Sequence, residues 1–196
     1  MKAATIVQIY QIKISLMVLK PLIWRRVLVP SNFSFHEFHL SIQDAMGWEN
    51  DHLYGFKIPT KGKVAAKASY FRTPGVIIDD STEIDPELIL VEKFFNTPKQ
   101  EILYMYDFGD DWLHKIVLEE ILEPVSKQKY PICIEGEKAC PPEDCGGIYG
   151  YANLLNVIKN PDDPEYEDMV DWLGEDFDPE DFDPKKVKFY FQKKMK

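Results

Sequence analysis

From Thr5 to Leu19 apolar and polar residues alternate. Tyr10, Ile12, Ile14, Leu16 and Val18 fall on one side, Gln11, Lys13 and Ser15 on the other. That period of two predicts a strand with one buried face. Lys20-Pro21 interrupts it, and Leu22–Pro30 predicts a second strand, paired antiparallel with the first because the connection is so short. Arg25 and Arg26 point to opposite faces of this strand, so at most one of them is expected near a buried or functional surface. The expectation is an edge strand with Trp24 packed and the arginines solvated.

The pattern then changes to a helical one. Ser34 and Glu37 form a capping box, Phe33 and Phe38 the flanking staple. Phe35, Phe38, Ile42, Ala45 and Met46 make the apolar stripe, and Gly47 suits the left-handed position that closes a helix. His36 and His39, three apart, share one side and could bind a metal, but nothing else at ligand spacing joins them, so they read as flank and surface histidines. A short strand is expected over Leu53–Ile58. Asp85-Pro86 is a cap-and-first-turn pattern that predicts a helix carrying Leu88, Ile89, Val91, Phe94 and Phe95.

Ile102, Tyr104 and Tyr106 alternate again, as do Trp112, His114, Ile116 and Leu118. Between them lies Asp107-Phe-Gly-Asp-Asp111, with Gly109 expected to take positive φ. The stretch reads as a β-hairpin whose tip carries three carboxylates. From Tyr130 to Gly150 the chain is dense in proline and glycine, and ordered loops of this kind are usually functional or tightly packed. Three helices are expected to follow: Tyr151–Lys159, one from Asp163-Pro164 to Gly174, and one starting at Asp183-Pro184. The pattern as a whole predicts an α+β protein with a mostly antiparallel sheet, a packed N-terminal helix and a C-terminal helical region. We read residues 1–196 as a single domain. Its natural subdivision is 1–123 (sheet and helices) and 124–196 (Pro/Gly loop plus acidic helices).

Charge narrows the classes of partner. The net charge is −10, which opposes broad attraction to phosphate backbones. Every charged residue from Lys57 to Arg72 is basic (Lys57, Lys61, Lys63, Lys67, Arg72), while Asp162–Asp183 holds twelve charged residues, all acidic. The two stretches read as a solvated loop and a solvated acidic face, with mutual attraction or contact with a partner as the alternative. No apolar run reaches the roughly 18 residues of a membrane span. The short, soon-polar start does not resemble a signal peptide, and three cysteines do not suit a secreted disulfide scaffold, so a cytoplasmic protein without a membrane role is expected.

Three groups could carry chemistry. Asp107, Asp110 and Asp111, with Trp112 and His114 beside them, could hold a divalent metal through oxygens or act as an acid–base pair; they are also ordinary hairpin-turn chemistry. Asp-Phe-Gly occurs in kinases, but the other kinase motifs are missing. Cys133, Cys140 and Cys145, spaced by seven and five, depart from zinc spacing and would need His52 or His114 as a fourth ligand. Glu143 and Asp144 sit on a rigid Pro/Gly loop; they could bind a ligand, cap the next helix or pair with Arg25 or Arg26.

Four pieces occur in one order: Trp24–Arg26; Gly47–Trp48 with His52 and Phe56; Tyr104–His114; and Cys140-Pro-Pro-Glu-Asp-Cys-Gly-Gly147 with Gly150–Tyr151. Together they resemble the plasmid pRiA4b ORF-3-like family, also labelled insertion-sequence passenger (TnpR-like) proteins. The resemblance implies an α+β roll-like domain and no defined activity. The label suggests recombination, but the residues show no serine-recombinase arrangement and no basic helix-turn-helix. The functional surface is expected where His52, the tip from Asp107 to His114 and the Cys140–Gly147 loop meet. The leading expectation is a non-enzymatic binding or accessory module of mobile-element origin with a protein or nucleic-acid partner. The rival is a metal-dependent hydrolase or nuclease using Asp107, Asp111, His114 and Glu143.

Overall fold

A computed structural model describes residues 7–20, 22–59, 74–78, 82–174, 176–190 and 193–194. The basic segment after Lys57 therefore lies almost wholly outside the described residues, and its attraction to the acidic stretch with it. The strands are β1 (Ile9–Leu16), β2 (Trp24–Pro30), β3 (Tyr54–Ile58), β4 (Gly75–Ile78), β5 (Thr82–Ile84), β6 (Glu101–Tyr106), β7 (Trp112–Leu122), β8 (Lys129–Tyr130), β9 (Ile132–Glu137) and β10 (Lys193–Lys194). The helices are α1 (Phe35–Met46), α2 (Gly147–Val157) and α3 (Tyr166–Leu173).

Eight strands make one open sheet in the order β5-β4-β3-β6-β7-β1-β2-β9. Its neighbouring pairs are antiparallel except β3 with β4. β8 and β10 form a separate two-stranded pairing. The fold is α+β, as the alternating pattern predicts. The first strand ends earlier than expected, at Leu16, and Val18 is exposed with φ +75°.

The β6/β7 hairpin occupies the middle of the sheet, with Tyr104 opposite His114 and Tyr106 opposite Trp112. The period of two sorts its side chains. Ile102, Tyr104, Tyr106, Trp112, Ile116 and Leu118 join the main core, while Leu103, Met105 and Leu113 form a small cluster with Met17 and Phe108. α1 supplies Phe35, Phe38 and Ile42 to the main core, where Phe35 meets Phe56 edge-on at 4.9 Å between ring centres. Its ends follow local chemistry. The Ser34 hydroxyl accepts from Glu37 N (3.1 Å), the Glu37 carboxylate accepts from Ser34 N (2.8 Å), and Gly47 takes φ +89°.

Four expectations fail where tertiary contacts override local pattern. Residues 86–95 are not an α-helix. Leu90 bridges to Ser34, Phe35 N donates to Ile89 O and Val91 N to Phe33 O, so backbone groups that a helix would use internally serve α1 instead. Asp85 still caps, accepting from Glu87 N at 2.9 Å, but only a turn and one 3-10 turn (Val91–Lys93) follow. The third C-terminal helix is likewise reduced to the 3-10 turn Pro184–Lys186.

β2 is the third departure: it is not an edge strand but lies between β1 and β9. Arg25 is 1% exposed. Its Nε donates to Ala45 O, its Nη1 donates to Trp24 O and Glu137 O, and the ring of Phe182 lies 3.7 Å from the guanidinium carbon. Arg26, on the other face, makes a fork with Glu119 (2.6 and 3.0 Å). Fourth, His39 is no surface residue. It is fully buried and stacked on Tyr54 at 3.5 Å between ring centres.

Among the described residues no helix is long and apolar enough to cross a membrane.

Candidate functional site

The hairpin tip turns on aspartates rather than on glycine. Asp107 and Asp111 take the left-handed conformation (φ +55° and +56°), while Gly109 does not. Aspartate tolerates this region because its short side chain can bond the local backbone. Asp107 Oδ1 accepts from Gly109 N (2.8 Å), and Asp107 O accepts from Asp111 N (2.8 Å). Asp107 N in turn donates to Leu53 O at 2.9 Å, which joins the tip to the chain around His52.

Two other segments meet the tip. The first, from Trp48 to His52, leaves the end of α1. The second is the loop from Cys140 to Gly147 that enters α2. Trp48 Nε1 donates to Pro141 O (3.0 Å), and the indole stacks on Tyr106 at 4.9 Å between ring centres. The Glu143 carboxylate accepts from Glu49 N (2.8 Å) and from the Tyr106 hydroxyl. The Tyr106 oxygen accepts from Asp51 N at 3.1 Å. Burial first, and then the hydrogen bond to Glu143, hold the Tyr106 phenol above its ordinary pKa, so it stays a donor. Gly147 (φ +65°) sits so close to the tip that a Cβ there would lie 2.6 Å from Asp110 O.

His52 stands at the junction. Its Nδ1 lies 3.7 Å from Asp107 Oδ2 and its Nε2 3.2 Å from Asp144 Oδ1. One ligand atom from each of His52, Asp107 and Asp144 lies within 4.8 Å of the other two, and among the described residues this is the group that can hold a metal ion. Two clefts flank the pair. One, of about 600 Å³, is lined by His52, Leu53, Tyr54 and Pro86. The other, of about 470 Å³, is lined by Asp144, Cys145, Met169 and Trp172 between α2 and α3. Leu53 and Trp172 are both solvent-exposed beside them.

The structure therefore brings together His52, Asp107, Glu143 and Asp144, with Asp110 and Asp111 at the rim. Asp110 Oδ2 is buried and finds no hydrogen-bond partner. Burial, then repulsion from Asp107 and Asp110, raises the Asp111 carboxyl above its ordinary pKa. Trp112 and His114 lie beneath this surface, in the core. His114 is fully buried between Trp48 and Tyr104, and neither ring nitrogen makes a hydrogen bond of good geometry. Burial pushes its pKa down to about 3 against a weaker pull from the Trp112 and Tyr104 backbones. A metal set of Asp107, Asp111, His114 and Glu143 is not assembled: Glu143 is taken by Tyr106 and Glu49, and His114 is sealed off.

His36 and His39 form no metal pair either. His36 Nδ1 meets the Tyr54 hydroxyl (2.9 Å), while His39 meets the Tyr104 hydroxyl through Nδ1 (2.8 Å) and Asn50 Oδ1 through Nε2 (2.5 Å). Since the Asn50 oxygen can only accept, His39 carries its proton on Nε2 and accepts from Tyr104 on Nδ1. Burial holds His39 neutral, at a pKa of about 3.

The three cysteines are free. Burial raises Cys133 to about 11 and both Cys140 and Cys145 to about 12, so all three are protonated thiols at neutral pH, poor as nucleophiles and as ready metal ligands. Neither Glu143 nor Asp144 pairs with an arginine in the described structure. Sequence reasoning missed Tyr106 and the Glu49–Asp51 backbone as the clamp of the site. The signal available was a tyrosine on the buried face at the last position before the tip.

With this geometry in place, comparison with known proteins is direct. The model of the plasmid pRiA4b ORF-3-like protein family matches residues 8–186, and the chain belongs to that family. It is 30% identical over 169 residues to the uncharacterised protein y4hQ of Sinorhizobium fredii, covering 86% of this chain and 82% of that one. The crystal structure of MM3350 from Methanosarcina mazei, a protein of unknown function, aligns with a TM-score of 0.75 and 39% identity over 94% of this chain and all of that one.

Proposed function

We propose that this member of the plasmid pRiA4b ORF-3-like family is a non-enzymatic binding or accessory module. It engages a protein partner through the surface where the Glu49–His52 segment, the Asp107–Asp111 tip and the Glu143–Asp144 loop meet. One observation carries the reading: three stretches far apart in sequence are tied by hydrogen bonds into a single carboxylate-lined surface, with a cleft on either side. Such a surface repels a phosphate backbone and suits a partner that presents Lys or Arg. The free, protonated thiols are in keeping with a reducing cytoplasm. A plasmid origin in the family's name is in keeping with descent from a mobile element.

Affinity capture with the wild-type chain and an Asp111→Asn/Asp144→Asn variant, at low and high salt, tests it. A partner held by the wild type, released by salt and weakened in the variant supports the module. A partner held equally by both, or capture of nucleic acid alone, overturns this choice of surface and partner.

A further inference from the structure

We propose that His52, Asp107 and Asp144 form a binding site for a divalent first-row transition cation of the zinc or manganese class. The inference deepens the reading of this surface as the functional one and rests on it for its place in the molecule. Three observations carry it.

The first is convergence. An imidazole and two carboxylates, from three separate segments, place one ligand atom each within 4.8 Å of one another. Mixed nitrogen and oxygen donors suit zinc and manganese, and three protein ligands leave room for water. Ligand distances of about 2.0–2.2 Å put donor atoms roughly 3–4 Å apart, and one ion takes one imidazole nitrogen, so binding at Nδ1 beside Asp107 requires Asp144, now beside Nε2, to make a closing movement. The Asp144 side chain, 75% exposed, is free to make it.

The second observation is a ligand already placed. Asp107 is only 9% exposed, and its Oδ1 is held by Gly109 N. Its Oδ2 faces His52 Nδ1 at 3.7 Å, too far for a hydrogen bond but a separation that one ion at about 2.0–2.2 Å from each can span. The third is an excess of one charge. Asp107, Asp110 and Asp111 crowd one tip, with Asp144 beside the other nitrogen of the His52 imidazole. A divalent ion offsets the repulsion among these carboxylates.

The competing account is that His52 spans the two carboxylates by itself, with no ion between them.

The test uses the full chain after dialysis against EDTA. Calorimetric titration with Zn²⁺ and with Mn²⁺, and elemental analysis after gel filtration, are expected to show one ion per chain. Asp144→Asn changes an exposed group that supports no other described contact, so it keeps the fold; it is expected to weaken binding at least tenfold. His52→Ala is expected to abolish it, and a Cys133→Ser/Cys140→Ser/Cys145→Ser variant to leave it unchanged. No ion retained by the wild type, equal affinity in the Asp144→Asn chain, or loss of binding only in the cysteine variant overturns the site. Partner capture run with and without chelator separates the two readings. Capture that survives while titration shows no ion removes the metal and leaves the module. Ion binding without any partner does the reverse.

Discussion

Tyr106, the last residue of β6, donates its hydroxyl to the Glu143 carboxylate on the loop before α2, and accepts from Asp51 N at 3.1 Å. Three segments thus share one phenol. Tyr106→Phe keeps the ring that stacks on Trp48 and removes both bonds. It is expected to lower stability by about 1–3 kcal/mol, since the lost bond involves a charged acceptor. Hydrogen exchange should rise at residues 140–147 and 49–52 while the β1/β2 pair stays protected. Unchanged exchange in the loop would show that other contacts hold it.

Two glycines with positive φ separate backbone strain from close approach. Around Gly47 (φ +89°) a Cβ would meet nothing within 4 Å, so Gly47→Ala is expected to cost only the left-handed strain, about 1 kcal/mol. At Gly147 (φ +65°) the added Cβ would lie 2.6 Å from Asp110 O. Gly147→Ala is therefore expected to cost clearly more, upwards of about 2 kcal/mol, because the tip must move away from the loop. Urea denaturation of both variants checks the order.

Arg25 has no carboxylate within ion-pair distance among the described residues; carbonyls of Ala45, Trp24 and Glu137 and the ring of Phe182 receive it. Desolvation lowers its pKa from the usual arginine value. Arg25→Lys keeps the charge but not the planar fork or the stacking, so it is expected to destabilise by about 3 kcal/mol, close to Arg25→Met. Near-wild-type stability of the lysine variant, measured by urea denaturation, would mean that charge alone matters.

His39 and His114 set the acid limit of the fold. Each is held to about 3 in the folded chain against an ordinary 6.5. Between those values the unfolded chain binds the additional protons, so stability is full above about 6.5 and falls as pH drops toward 3. The slope is on the order of 1 kcal/mol per pH unit for each histidine. His114→Leu removes one titrating group that has no good hydrogen bond to lose. It is expected to flatten the slope between pH 6 and 4 in chemical denaturation measured across that range.

Much of the architecture was legible because its causes are local. The capping box at Ser34 and Glu37, the closing Gly47 and the two alternating runs around Asp107–Asp111 each depend on residues within a few positions of one another. Period and cap chemistry therefore determine where α1 and the β6/β7 hairpin form. The family, too, was readable from ordered motifs along the chain.

What the tertiary structure alone decided is which groups face solvent and which segments meet. Asp85-Pro86 carries a valid helix start, but the backbone after it bonds Phe33 and Phe35 instead. Arg25 reads as solvated by type, yet β9 and Phe182 enclose it. His114 alternates with Trp112 and so shares its face, but nothing in that spacing says the face is sealed. The meeting of His52, Asp107 and Asp144, separated by 55 and 37 positions in the chain, depends on sheet order and on the Tyr106–Glu143 clamp. Periodicity is a property of neighbours in sequence, whereas burial and ligand convergence are properties of neighbours in space, which long-range packing chooses.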